Sequence, residues 1–421
     1  MKKILVIGAG RSATTLISYL LDNAVINNWM ITIADYSEYL AKQAVGNSVN
    51  AKAIFFNVMD DSQREEEITI ADIVISMLPA SLHILVAEDC VRLKKNLVTA
   101  SYVSDEVATL DDKAKQAGVL LLNEIGLDPG IDHMSAMQII DKIKADGGKL
   151  TSFKSFCGGL VHPDYDDNPW NYKFTWNPRN VVLAGQGTAQ YIEGGEIKYI
   201  PYNKLFNRTE NMSVLDSGEF EAYANRDSLS YRKSYRIENI STLLRGTLRR
   251  SGYSKSWNYL LQLGLTDDTY VIENSEKLSY RSYLNMFLPG SDEMTLEEKF
   301  CKEFGIREDS EEFQKIKWLD IFSDKKVDLV NATPAQVLQK ILEEKWTLSA
   351  EDKDMIVMQH QFEYTLDGVN KKLNSSFVVF GDNQRDTAMA KTVGLPVAIA
   401  TKLILNGEIT SVGVKIPTTK D

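Results

Sequence analysis

Residues 123–134 read Asn123-Glu-Ile-Gly-Leu-Asp-Pro-Gly-Ile-Asp-His-Met134, and they form the last of a series of turns that decides the fold. The apolar run Val119 to Leu122 predicts a buried strand before this turn, and helical periodicity follows from about Asp132 to Ala145. Pro129 suits an early helical position because it has no N–H to leave unpaired, and Asp128 can cap the free amides. The stretch therefore predicts a strand-to-helix turn.

Five similar turns precede it. The other predicted strands are Lys3 to Ile7, Met30 to Ala34, Ala51 to Phe56, Asp72 to Met77 and Asn96 to Thr99. Strands that alternate with helices in this way predict an α/β fold with a doubly wound, Rossmann-type parallel sheet. Ligands of such sheets bind at the carboxyl ends of the strands, where all six turns lie.

The first turn, Gly8-Ala-Gly-Arg-Ser-Ala13, carries a G-x-G-x-x-A pattern between a strand and a helix. Gly8 and Gly10 permit a tight turn and let backbone amides approach a pyrophosphate, while Ala13 lets helix and strand pack closely. Arg11 and Ser12 lie in the same turn. The pattern predicts a dinucleotide site.

Asp35 ends the second predicted strand, about where such folds place the carboxylate that binds the adenosine ribose. A carboxylate there would repel a 2′-phosphate, so Asp35 favours NAD as the cofactor, with NADP possible. The structural alternative is that Asp35 caps the helix predicted from Ser37 to Val45.

Composition narrows the function classes. The chain has 421 residues, 44% of them hydrophobic, and a formal net charge of −11, which argues against nucleic acid as a partner. No run approaches the ~18 apolar residues of a membrane helix, and the charged start leads straight into a strand with no apolar signal segment. The three cysteines are far apart, and none of the four histidines has metal-ligand spacing. We expect a cytoplasmic enzyme with no metal and no membrane contact.

The second half of the chain has a different pattern of predicted strands and helices. Strand-like alternation at Thr151 to Cys157 predicts an α+β region, and helical periodicity dominates from Thr266 to about Lys353. A hairpin and a last helix, Thr387 to Leu405, follow. The predicted domains are a Rossmann domain at 1–130 with residues 386–421 packing back on it, an α+β substrate-binding domain at 131–263 with 354–385, and a helical lobe at 264–353.

Three arginines of the second half indicate an anionic substrate. Arginine donates two parallel hydrogen bonds to a carboxylate, and Arg226, Arg245 and Arg249 lie near one another in the sequence. Surface salt bridges are the alternative role for each. If nicotinamide lies over the strand ends, Ser101 and Asp128 lie where the substrate approaches.

These residues together resemble the saccharopine dehydrogenase (L-glutamate-forming) family. The resemblance rests on motifs that span nearly the whole chain in order. They are residues 123–134, Thr99-Ala-Ser-Tyr102, Ser155-Phe-Cys-Gly-Gly-Leu160, Tyr172-Lys-Phe-Thr-Trp176, Asn225-Arg-Asp227, Thr242-Leu-Leu-Arg-Gly-Thr-Leu-Arg249 and Met389-Ala-Lys-Thr-Val-Gly-Leu-Pro396.

The resemblance implies NAD(P)-dependent oxidative cleavage of saccharopine to glutamate and 2-aminoadipate 6-semialdehyde, or the reverse, by a homodimer. Besides the glycine turn and Asp35, the residues it implies for the dinucleotide are Ser12, Leu78, Ala100, Leu127, Asp128 and Pro129. Those it implies for saccharopine are Ser101, Tyr102, Asp128, Arg226, Thr247, Leu248 and Arg249.

The catalytic base is left open. The secondary amine of saccharopine must lose its proton before oxidation, so a base or a water chain is needed. The candidates are Asp128, His133 and Cys157, with Asp128 preferred, although it can equally bind a substrate ammonium group. The alternative functions are a carboxynorspermidine or carboxyspermidine dehydrogenase and a non-catalytic nucleotide-binding protein on the same fold.

Overall fold

A computed structural model describes residues 1–291 and 293–421. The chain divides into two compact units, Met1–Asp146 with Val379–Asp421, and Gly147–Val378.

The first unit begins with an alternation of strands and helices. The strands are β1 (Lys2–Ile7), β2 (Trp29–Asp35), β3 (Ala51–Phe55), β4 (Ile73–Ser76), β5 (Asn96–Val98) and β6 (Leu120–Leu122). The helices are α1 (Thr14–Asn27), α2 (Glu38–Val45), α3 (Asp61–Ile70), α4 (His83–Arg92), α5 (Asp105–Ala108), α6 (Asp111–Ala117) and α7 (Ile131–Ala145).

The second unit has longer strands and a block of helices. The strands are β7 (Lys149–Val161), β8 (Ala189–Glu193), β9 (Glu196–Ile200), β10 (Thr209–Ser213), β11 (Glu219–Ala224), β12 (Thr242–Arg250), β13 (Asp354–Leu366) and β14 (Val369–Phe380). The helices are α8 (Pro178–Val182), α9 (Tyr231–Ser234), α10 (Tyr253–Gln262), α11 (Tyr280–Asn285), α12 (Leu296–Phe304), α13 (Glu311–Trp318) and α14 (Pro334–Trp346). The chain then returns to the first unit with α15 (Ala388–Leu405) and β15 (Gly413–Lys415).

The sheet of the first unit is parallel throughout, in the order β15-β6-β5-β4-β1-β2-β3. Its central strands are buried on both faces, because neighbouring residues such as Ile4 and Leu5 of β1 belong to separate hydrophobic clusters. The order reverses at β1, which pairs with both β2 and β4 and so creates the switch point at which doubly wound sheets bind ligands. The predicted Rossmann-type fold is confirmed, with a seventh strand that the sequence analysis missed.

The predicted boundary at residue 130 differs from the division in the structure, which keeps α7 in the first unit. The reason is local. The turn before α7 bonds to the helix, with the amide of Asp132 donating to the Leu127 carbonyl at 3.0 Å and the amide of Met134 to the Gly130 carbonyl at 3.1 Å. Gly130 is the N-cap of α7, which begins at Ile131, one residue before the predicted start, so Pro129 lies just before the helix and not in its first turn. The Gly130 amide donates to the carboxylate of Asp132 at 2.6 Å.

The sheet of the second unit is mixed, with the order β10-β11-β12-β7-β13-β14 and with β8 and β9 attached beside β12. One hydrophobic cluster joins this sheet to the helices predicted as a separate lobe, since Phe156 of β7 and Ile341 of α14 both belong to it. In the structure, residues 264–353 therefore share a core with the sheet and belong to the same unit.

Helix α15 corrects the statement that no run has the length of a membrane helix. Within the described residues it is the one helix that reaches this length with a sufficiently apolar composition, and 56% of it is buried inside the protein. It packs on α1 so closely that a Cβ on Gly394 would lie 2.8 Å from the Leu16 nitrogen. Such close burial is what a core helix of a doubly wound fold requires.

Candidate active site

The glycine turn after β1 is tight at Gly8 and open at Gly10. Gly8 has φ +104°, and a Cβ there would lie 2.7 Å from the Met77 carbonyl oxygen, so only glycine fits. Gly10 faces open space instead, with no atom within 4 Å of a built Cβ. Arg11 and Ser12 follow in a short 3-10 turn, Arg11 exposed and Ser12 half-buried. The turn thus leaves backbone open to approach at Gly10, in agreement with a dinucleotide site.

Asp35 is bonded to this turn. One carboxylate oxygen accepts the amide of Ala9 at 2.7 Å, and the other accepts the amide of Ser37 at 2.7 Å. Ser37, and not Asp35, is the N-cap of α2. The two bonds hold a half-buried negative charge beside the glycine turn, at the place where the sequence analysis expects the ribose.

The turns after β4, β5 and β6 carry the remaining dinucleotide candidates. Leu78, Ala100 and Asp128 are half-buried, whereas Leu127 and Pro129 are buried. A Cβ on Gly126 would lie 2.9 Å from the Cβ of Ala100, so the turns after β5 and β6 are in direct contact. These candidates therefore line the carboxyl edge of one sheet.

A hydrogen-bonded chain through His83 supports the turn at Ser101. The ring Nδ1 of His83 lies 2.8 Å from Ser76 Oγ, and Nε2 lies 2.6 Å from Ser101 Oγ. His83 is only 4% exposed, and this burial lowers its pKa to about 4, against the raising effect of a hydrogen bond to the Leu78 backbone. The imidazole is therefore neutral near pH 7.

Glu124 holds the same turn from the other side. Its amide donates to the Ser101 carbonyl at 3.0 Å, and one of its carboxylate oxygens accepts the amide of Val103 at 3.0 Å. Tyr102, between them, is 45% exposed. Sequence reasoning missed both His83 and Glu124. The available signals were a histidine shortly after the end of β4 and a carboxylate inside the family motif.

His133 is fully buried, with Nε2 2.8 Å from the second carboxylate oxygen of Glu124. It thus contacts the acid that supports the Ser101 turn. Asp128 lies one residue before Pro129, half-buried, in the turn that follows β6.

Cys157 and Thr247 are paired across the second unit's sheet. Cys157 of β7 lies opposite Thr247 of parallel β12 and opposite Met358 of antiparallel β13. Cys157 is buried and Thr247 half-buried. Leu248 is fully buried. A Cβ on Gly158 would lie 2.7 Å from the Leu248 carbonyl oxygen, so β12 and β7 approach closely there.

Arg249 is a buried cation among aromatic rings. It is 4% exposed, and its guanidinium carbon lies 4.9 Å from the ring centre of Tyr172 and 5.3 Å from that of Tyr253. One terminal nitrogen donates to the Leu248 carbonyl at 2.9 Å, while Nε has no hydrogen-bond partner among the described residues. Burial raises the pKa of both tyrosine hydroxyls, so no phenolate balances the charge.

The other two arginines differ from Arg249. Arg226 is exposed in the loop after β11 and has φ +35°. Arg245 is buried with its guanidinium 4.0 Å from the ring centre of Tyr231. Its backbone fixes the Arg226 loop, because its amide donates to Ser228 Oγ at 2.9 Å and its carbonyl accepts the amide of Asn225 at 2.7 Å.

The predicted site residues therefore form two groups. The first unit contains the dinucleotide candidates with Ser101, Tyr102, Asp128 and His133, and the second contains Cys157, Arg226, Thr247, Leu248 and Arg249.

Comparison with known proteins agrees with these features. Residues 4–122 match the model of the saccharopine dehydrogenase NADP binding domain, and residues 126–421 match that of the saccharopine dehydrogenase C-terminal domain. The chain is 34% identical to saccharopine dehydrogenase [NADP(+), L-glutamate-forming] of Saccharomyces cerevisiae, over 99% of this chain and 94% of that protein. It is 35% identical to the mitochondrial α-aminoadipic semialdehyde synthase of Rattus norvegicus, over the whole chain but 46% of that longer protein.

A solved structure extends the likeness to three dimensions. The apo saccharopine dehydrogenase (L-Glu forming) of Saccharomyces cerevisiae superposes with a TM-score of 0.89 at 33% identity, over all of this chain and 94% of that one. The match includes both sheets, so it covers the dinucleotide fold and the unit with the arginines alike. The chain belongs to the saccharopine dehydrogenase family.

Proposed function

We propose that the protein catalyses the NAD(P)-dependent oxidative cleavage of saccharopine to L-glutamate and 2-aminoadipate 6-semialdehyde, or the reverse reaction, in lysine metabolism. Saccharopine is glutamate joined through its nitrogen to the side-chain carbon of lysine. The cleavage consumes saccharopine, water and the oxidised dinucleotide, and gives the two products, the reduced dinucleotide and a proton. Family membership and the similarity to named saccharopine dehydrogenases support this reaction.

The observation that carries the proposal is the buried guanidinium of Arg249, whose Nε has no hydrogen-bond partner among the described residues. Burial of a charge is costly, and a bound carboxylate offsets the cost by bidentate hydrogen bonding. Saccharopine carries three carboxylates, whereas a polyamine substrate would call for acidic residues. Arg226, exposed on a loop that Arg245 fixes, can bind a second carboxylate.

The residues of the first unit fit a dinucleotide, which when bound supplies the hydride acceptor. Gly8, Gly10, Arg11 and Ser12 would hold the pyrophosphate, and Asp35 the adenosine ribose. Leu78, Ala100, Leu127 and Pro129 would contact the nicotinamide end. The main contribution of these residues to the rate is orientation.

The remaining candidate residues have proposed roles as well. Asp128 binds an ammonium group of the substrate or removes the amine proton, while Ser101 and Tyr102 contact the same ligand. His133 faces Glu124, and Cys157 lies within the sheet between Thr247 and Met358, so both are weaker candidates for the base.

We also propose that NAD is the preferred cofactor. The charge of Asp35 is fixed by the amides of Ala9 and Ser37, and it would face the 2′-phosphate of NADP at close range. The fungal relatives are named for NADP, so we expect this chain to differ from them in its preferred cofactor. A cytoplasmic homodimer is a further proposal, and size-exclusion chromatography with light scattering tests the dimer.

The test is the absorbance of reduced nicotinamide with purified protein and saccharopine, run once with NAD and once with NADP. We expect saccharopine to reduce the dinucleotide, with glutamate and 2-aminoadipate 6-semialdehyde formed in equal amounts. Turnover of carboxynorspermidine or carboxyspermidine in place of saccharopine would overturn the proposal.

A further inference from the structure

His83 is the buried group that the proposed reaction leaves without a role. It begins α4, and its ring lies between two serines, Ser76 at the end of β4 and Ser101 in the turn after β5. Ser101 is among the residues proposed to contact the substrate. A side chain that fixes its hydroxyl therefore acts directly on how the substrate is bound.

The hydrogen-bond roles of the ring follow from its surroundings. A neutral imidazole has one N–H donor and one acceptor nitrogen. The hydrogen bond to the Leu78 backbone raises the pKa of His83, so a ring N–H donates to that carbonyl, which can only accept. Leu78 lies two residues beyond Ser76, whose Oγ is 2.8 Å from Nδ1. We place this N–H on Nδ1, so that Nε2, 2.6 Å from Ser101 Oγ, is the acceptor.

We propose that His83 is a positioning residue whose Nε2 accepts the hydroxyl hydrogen of Ser101, so that Ser101 meets the substrate only as a hydrogen-bond acceptor. The Oγ lone pairs then point to an N–H of the substrate, either its ammonium group or its reacting amine, and not to a carboxylate. This assignment rests on the proposed function. It gives Ser101 and Arg249 opposite preferences, for nitrogen and for carboxylate.

His83 does not act as the base in this scheme. With a pKa of about 4, roughly one imidazole in a thousand is protonated at pH 7. The ring therefore orients Ser101 and does not store the proton that the amine releases.

Two substitutions separate orientation from folding. In His83→Gln the longer side chain reaches the Nε2 position and can present its carbonyl oxygen to Ser101. In His83→Asn the shorter side chain reaches only the Nδ1 position, so it keeps the β4 contacts and loses Ser101. We expect His83→Asn to lower kcat/KM for saccharopine about 10- to 100-fold, the effect of one hydrogen bond to a charged group, mainly through KM. We expect His83→Gln to stay within about threefold of the wild type, and the KM for the dinucleotide to change little in either.

Equal losses in both variants, or losses that follow their melting temperatures, would overturn the proposal. A second measurement does not depend on turnover: the 15N resonances of labelled His83 distinguish a protonated from an unprotonated ring nitrogen. Protonated Nδ1 with unprotonated Nε2 supports the assignment, and the reverse overturns it. A wild-type protein that does not turn over saccharopine but shows the expected resonances would contradict the proposed function, while the tautomer of His83 and its hydrogen bond to Ser101 would still hold.

Discussion

Glu124 Oε2 and His133 Nε2 lie 2.8 Å apart inside the first unit, while Oε1 of the same glutamate accepts the amide of Val103. A single carboxylate thus connects helix α7 to the turn that presents Ser101. The connection is buried, since His133 is fully enclosed and Glu124 is 8% exposed.

The first prediction concerns this carboxylate. Glu124→Ala leaves the Val103 amide and the His133 ring without their partner, and we expect a loss of about 2–4 kcal/mol in the free energy of unfolding. Glu124→Gln retains an acceptor for Val103 and is the matched control, with a loss of about 1 kcal/mol. Chemical denaturation measures both. Equal stability of the two variants would show that the carboxylate does not hold the turn.

The second prediction concerns pH and His83. Burial lowers its pKa to about 4 in the folded protein, from an ordinary value of 6.5. As pH falls below 6.5 the unfolded chain binds a proton first, so stability declines between pH 6.5 and about 4 and then levels off. The full contribution is on the order of 3 kcal/mol. Unfolding free energies at pH 7 and pH 4.5 measure the decline, and His83→Gln, which cannot titrate, should show a correspondingly smaller one. An identical decline in both proteins would contradict the assignment.

The third prediction concerns the cofactor. We expect kcat/KM with NAD to exceed that with NADP by about 10- to 100-fold, because the Asp35 carboxylate repels a 2′-phosphate. Asp35→Asn removes the charge and should bring the two values closer together, chiefly by improving NADP. Steady-state kinetics with both cofactors measures the ratio. A wild-type preference for NADP that survives the substitution would mean that Asp35 does not set the choice.

The fourth prediction concerns Arg249. Arg249→Leu should raise the KM for saccharopine about 100-fold, because a desolvated arginine–carboxylate pair is lost. Dinucleotide binding, measured by fluorescence titration, should stay the same. The control is Arg250→Leu, the next residue on β12, whose guanidinium donates to the Ser217 carbonyl and lies 4.5 Å from the Phe220 ring centre. An equal rise in the KM for saccharopine in the two variants would indicate that loss of positive charge in general, and not of Arg249 in particular, weakens substrate binding.

The sequence predicts the first unit well because its signals are local. The runs ending at Ile7 and Leu122 are apolar on both faces, and each is followed by glycine-containing turns, which together specify buried parallel strands. Strand β15 was not predicted because Gly413–Lys415 is too short to show the alternation of apolar and polar residues that marks a strand. It is specified instead by pairing with β6, which is far away in the sequence.

The site was predicted unevenly for the same reason. Glycine turns and arginines are recognisable by residue type, and the family motifs add Ser101 and Asp128. The roles of His83 and Glu124 depend on hydrogen bonds between turns after different strands, and no sequence pattern encodes those distances. Likewise, nothing in the sequence distinguishes the enclosed Arg249 from the exposed Arg226.

The return of α15 and β15 to the first unit has a consequence for synthesis on the ribosome. Residues 147–378 are contiguous and emerge in one piece, so the second unit can fold while translation continues. The first unit cannot close until residue 415 has emerged, because one edge strand and a core helix are still missing. Until then the nascent chain exposes the unpaired edge of β6 and the face of α1 that α15 covers, and we expect a chaperone to bind in this interval.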